Sequence, residues 1–122
     1  MRLAGVVAAV GGKGCLTKCD REERKVVKVI VERRLRPGKD QDFVTLLVEL
    51  WVKAVRRQGY ITGETLRSVE EPDLWLTISS WSDIAAWRSW KESQERQEIL
   101  KEIEPMLRGL ARESVFQQAF KE

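Results

Sequence analysis

"VVKVIVERRLRPGKDQDFVTLLVEL", residues 26–50, changes its hydrophobic period halfway along, and that change decides the fold. In its first part Val27, Val29, Val31, Arg33 and Leu35 fall on one side of an extended chain, with Lys28, Ile30, Glu32 and Arg34 on the other. This is a strand with one dry face, interrupted by an arginine. "RPGKD" ends it, because Pro37 has no N–H to give to a ladder and Gly38 permits a turn. Beyond the turn, Phe43, Leu46, Leu47, Leu50 and Ala54 recur at helical spacing. Asp40 or Asp42 is expected to cap that helix. Arg56 and Arg57 sit at its C-terminal end, where positive charge suits the dipole, and Gly59 is expected as the C-cap.

Outward from this strand and helix the pattern continues. Residues 60–68 read as a strand in which Gly63 leaves one position without a side chain, permitting a bulge or the close approach of another group. Tyr60, Glu64 and Leu66 are expected to share one face of it. "EEPD" turns the chain, and "LWLTISSW" returns with Trp75, Thr77, Ser79 and Trp81 on one face and Leu76, Ile78 and Ser80 on the other. Ser82 and Asp83 open a helix carrying Ile84, Trp87 and Trp90, followed by a further helical stretch through Ile99 and Ile103. A short helix around "PMLRGL" and a last strand in "SVFQQAF" complete the order strand, helix, strand, strand, helix, strand. That order predicts an α+β, ferredoxin-like (split βαβ) antiparallel sheet with helices on one face. The uncovered face would present Ile61, Leu76, Ile78 and Val115 or their neighbours, so a homodimer joined through the two sheet faces is expected.

Composition bounds the function. The chain of 122 residues suffices for one domain, expected over residues 26–122 behind an N-terminal extension at residues 1–25. The apolar start "MRLAGVVAAV" resembles a secretory leader, but Lys13 occupies the place of a small-residue cleavage site. With 22 basic and 19 acidic side chains interspersed, the formal charge is only +3, which argues against a phosphate-tracking nucleic-acid surface. No apolar run approaches the roughly 20 residues needed to span a bilayer, and a cytoplasmic protein without a membrane partner is expected. Histidine is absent. That removes His-assisted nucleophiles, His-ligated zinc or haem and the His/carboxylate iron site, so no metal is expected. Cys15 and Cys19 alone cannot complete a four-thiolate zinc site, and their spacing is not that of a redox Cys-x-x-Cys pair.

Four stretches, "VERRLRPGKDQDFVTLLVEL", "GYITGETLRSVEEPD", "LTISSWSDIAAWRSWKES" and "ERQEILKEIEPML", resemble the antibiotic biosynthesis monooxygenase domain of the dimeric α/β-barrel superfamily, over about residues 26–120. The resemblance implies the fold given above more strongly than any activity, because one fold hosts many functions. It includes small oxygenases that oxidise quinols or polycyclic phenols with dioxygen and no cofactor. The family also includes haem-degrading enzymes and many proteins without an assigned activity; the resemblance thus implies an oxygenase with no cofactor, and the alternative is a non-catalytic small-molecule-binding or stress-associated protein of the same fold. The haem-degrading branch places an Asn, a Trp and an axial His where this chain has Arg33, Trp90 and about Leu100, so the iron ligand is missing. A haem-binding protein using another ligand is the remaining form of that reading.

For the oxygenase reading, the expected catalytic residues are Arg33, to stabilise a phenolate or superoxide, Trp90, and Tyr60 or Glu64, to assist proton removal. Trp87, Trp81, Phe43, Leu47 and Leu100 are expected to bind a small aromatic ligand between helices and sheet. Each has a structural counterpart: tryptophans fill cores, a strand-end arginine can snorkel to water, and a strand glutamate commonly pairs with a surface cation. Trp51 and Trp75 read as packing or dimer contacts, and "KESQERQEILKEIEP" as a solvated helix face.

Overall fold

The computed structural model describes residues 25–120. The expected N-terminal extension lies outside the described residues, apart from Lys25. Strand β1 (Val27–Arg34) is followed by helix α1 (Asp40–Ala54), strands β2 (Tyr60–Arg67) and β3 (Leu74–Trp81), helices α2 (Ile84–Lys91) and α3 (Gln94–Ile103), a short 3-10 turn (Glu104–Met106) and strand β4 (Arg112–Gln117). The sheet order is β2-β3-β1-β4, antiparallel throughout, which is the ferredoxin-like arrangement. Edge strands β2 and β4 flank a central pair whose register sets Val27 opposite Trp81, Val29 opposite Ser79, Val31 opposite Thr77 and Arg33 opposite Trp75. All of these face the helices.

The core forms because two apolar periods meet. The valines of β1 and Leu35 are buried against Phe43, Leu46, Leu47, Leu50 and Ala54 of α1, Trp87 and Trp90 of α2, and Ile99 and Ile103 of α3. Helix α1 starts after the Pro37–Gly38 turn, with Gly38 at φ 78°. Neither Asp40 nor Asp42 caps it, contrary to expectation: Lys39 holds the cap position without a side-chain bond, and both aspartates lie in the first turn. The Asp40 carboxylate is taken instead by Arg67 of β2, whose Nη2 donates to Oδ2 at 2.7 Å. Gly59 is also not the C-cap of α1, where Val55 stands. It lies at φ 92° in the turn into β2, where an added Cβ would come within 2.4 Å of the Ala86 Cβ. Caps do open the other two helices, with Asp83 Oδ1 accepting from Ala86 N at 2.8 Å and Ser93 Oγ accepting from Arg96 N at 3.3 Å.

Two face assignments differ from the sequence pattern. A bulge between Tyr60 and Thr62 leaves Tyr60 opposite Trp81 on the helix side, while Glu64 and Leu66, opposite Ile78 and Leu76, lie on the other face. Val115 pairs with Val29 and belongs to the helix face, so Phe116, opposite Lys28, takes its place on the uncovered face. That face carries Ile30, Leu76 and Ile78 in the middle, with Leu66 and Phe116 exposed towards its edges.

Candidate functional site

A cavity of about 420 Å³ lies between α1 and the sheet and is closed off by α2 and the start of α3. Its position follows from the strand register. Large side chains stand at both ends of β3, Trp75 and Trp81, and small ones, Thr77 and Ser79, stand between them. Gly63 and Thr65 of β2 lie opposite Ser79 and Thr77 and leave further room. The wall opposite consists of Leu47 and Leu50 from α1, and the end wall of Trp87 and Trp90 from α2. Val44, Val48 and Trp51 line the mouth, and Trp51 is 53% exposed there.

The aromatic walls are held by specific contacts. Trp81 donates from Nε1 to Ser79 Oγ at 3.0 Å, meets Tyr60 edge-on at 5.3 Å between ring centroids, and leans on Trp87 at 5.9 Å. Trp75 meets Phe43 edge-on at 5.3 Å and is covered by the Arg67 guanidinium at 4.8 Å. Trp87 and Trp90 point inwards together because they are three residues apart on one helix. The Tyr60 hydroxyl occupies the space that a side chain at position 63 would need, 2.6 Å from the site of an added Cβ. Gly63 therefore serves both as a neighbour of a bulge and as the point of close approach.

Charge inside this cavity has one sign. Arg33 is only 3% exposed, and its Nη1 donates to Thr77 Oγ1 at 3.4 Å. Its Nε is buried without a hydrogen-bond partner, as is Trp75 Nε1, and Arg33 makes no ion pair among the described residues. Burial pushes the Arg33 guanidinium down to about 10, helped by the nearby Arg96 charge and partly opposed by Glu113. Arg96 is 6% exposed and its value is also lowered by burial, against the attraction of Glu113.

Of the residues expected at a site, the cavity brings together Arg33, Tyr60, Glu64, Trp81, Trp87, Trp90 and Leu47. Glu64 borders it only as part of the edge strand, since its side chain is exposed on the other face of the sheet. Phe43 and Leu100 do not line it. Phe43 is fully buried behind Trp75, and Leu100 is half-buried against the core, since both lie on helix faces turned to neighbouring side chains. Trp75, Thr77, Ser79, Leu50 and Arg96 line the cavity without having been singled out for it. Arg96 had a legible signal, because it precedes Ile99 by three and Ile103 by seven and so shares their buried face. Among the described residues no group of three His, Cys, Asp or Glu side chains is arranged to hold a metal ion, and no helix is long and apolar enough to cross a membrane.

Comparison with known proteins adds a family. The profile of the family described as antibiotic biosynthesis monooxygenase matches residues 26–102, more than half of the chain. Protein SchA of Streptomyces halstedii is 25% identical over 109 residues, covering 89% of this chain but only 28% of SchA. Among solved structures, a conserved protein from Methanosarcina mazei Go1 superposes with a TM-score of 0.74 at 17% identity, covering 81% of this chain and 98% of that one. SnoaB, a cofactor-independent oxygenase from Streptomyces nogalater, superposes with a TM-score of 0.71 at 13% identity, covering 80% and 96%. At these identities the structural likeness shows the fold alone.

Proposed function

The chain belongs to the antibiotic biosynthesis monooxygenase family, and on that premise we propose that it oxidises a quinol or polycyclic phenol with dioxygen, without a cofactor. The observation that carries this reading is Arg33: a guanidinium buried on an aromatic cavity with a single weak hydrogen bond and no counter-ion among the described residues. A buried, unpaired cation is costly, and an anionic ligand offsets the cost. An ionised phenol or enol is such a ligand, and its flat rings suit walls made by Trp75, Trp81, Trp87 and Trp90.

The chemistry follows from that anion. For an anthrone-type substrate, loss of a proton from the ring methylene gives an enolate that Arg33 stabilises. The enolate passes one electron to dioxygen, and the resulting substrate radical and superoxide combine at the ring carbon. Protonation of the peroxide and loss of water leave a quinone carbonyl, so one oxygen atom enters the product and the other enters water. Tyr60, beside Trp81 on the cavity side of the sheet, assists the proton transfers, whereas the Glu64 side chain is turned to the other face and away from them. Trp87, Trp90 and Leu47 hold the rings and keep water from the intermediates. The active unit is a homodimer joined through the uncovered sheet faces.

Isotopically heavy dioxygen tests the reaction. Enzyme-dependent conversion of dithranol, a dihydroxyanthrone, should place a single heavy atom in the quinone. Tight binding of the aromatic with no conversion beyond the spontaneous background would leave only a binding protein.

A further inference from the structure

Arg33 is not alone in the cavity. Arg96 lines it from the first turn of α3, with its guanidinium carbon 5.0 Å from the centre of the Trp87 ring. The closest carboxylate to it, Glu113, sits at 3.9 Å from Nη2 to Oε1, the outer limit of an ion pair. That same carboxylate receives Lys91 Nζ at 2.8 Å on Oε2. Arg96 and Lys91 thus share one carboxylate, which acts on Arg33 only through a weaker electrostatic attraction without an ion pair. Glu64, the only acidic residue among those lining the cavity, is exposed and has its side chain on the other face of the sheet, where water screens it. A single ionised phenol on Arg33 would still leave Arg96 buried with a shared and distant counter-charge.

We propose that the aromatic substrate carries a carboxylate in addition to its ionisable phenol or enol, and that Arg96 is the residue that binds this carboxylate and selects for it. A carboxylate is ionised throughout the neutral range, and its two oxygens match the fork of a guanidinium. Trp87 beneath Arg96 gives the aromatic body a surface adjoining the charge. The inference rests on the oxygenase reading only in placing the carboxylate on the ring system that is oxidised.

The test compares rhein with danthron, the same dihydroxyanthraquinone with and without a carboxylate, by calorimetric titration of the full chain. Rhein should bind at least about tenfold more tightly, as charge-assisted hydrogen bonds in a dry site imply. The methyl ester of rhein should lose that advantage, and Arg96→Met should bring the rhein-to-danthron ratio close to one. Equal affinities in the unsubstituted protein, or an unchanged preference in a folded Arg96→Met, would overturn the proposal. Should Arg96→Met not fold, Arg96→Lys and the ester comparison decide it, the lysine keeping the charge but losing the fork and part of the preference. Dioxygen uptake with dithranol is followed in parallel. Uptake without a carboxylate preference sinks this inference alone, a preference without uptake sinks the oxygenase reading alone, and no binding of either quinone sinks both.

Discussion

Arg33 is kept inside the fold at a cost to stability. Its folded value, about 10, lies below that of an exposed arginine, so the charged side chain disfavours folding at every pH below about 10 and the penalty fades as pH rises through that value. Such penalties are of the order of a few kcal/mol, so Arg33→Met should raise the Tm of the ligand-free protein at neutral pH by roughly 5–10 °C. The difference between the two proteins should shrink above pH 10. A lower Tm for the variant at neutral pH would contradict this account of the site. The same residue shows how much of the site the sequence discloses. An arginine among valines on a strand face signals an unusual position, because alternation puts it towards the core. Arg96 was missed because it sits in a run of charged residues, where its spacing to Ile99 and Ile103 competes with the impression of a solvated helix.

Strand β2 is the element where local geometry and the site meet. Its bulge turns Tyr60 to the helix side, and Gly63 makes room for the tyrosine hydroxyl. Gly63→Ala should displace that hydroxyl and destabilise the protein, and the loss should be smaller by about 1 kcal/mol in a Tyr60→Phe background. Equal losses in both backgrounds would show that the two residues do not interact. Gly59→Ala should be worse, by about 2–4 kcal/mol, since a positive φ and the Ala86 contact both oppose it. Denaturant midpoints measure all of these. Periodicity alone located β1, α1 and β3 because each keeps one period from end to end. It failed at the bulge, where one extra residue reverses every later side chain, and so placed Tyr60 with Glu64.

At the scale of the whole molecule, two surfaces remain to be accounted for: the mouth of the cavity beside α1 and the uncovered sheet. Ile30, Leu76 and Ile78 sit mid-sheet, and Phe116 is 54% exposed, an apolar surface that a second copy would bury. Sedimentation at micromolar concentration should give a dimer, and Ile78→Asp should give a folded monomer; a monomer without any substitution would dismiss the sheet interface. The helix side of the sheet is then left free to enclose the cavity. The proposed reaction stands on Arg33 holding an aromatic anion in this cavity for attack on dioxygen. The most direct measurement is the initial rate of dioxygen uptake with dithranol, in chelator-treated protein, for the unsubstituted chain and for Arg33→Met. Saturable uptake is expected, falling by about 100-fold in a variant at least as stable as the parent. Uptake no faster than the spontaneous rate, or an undiminished rate in Arg33→Met, would contradict it.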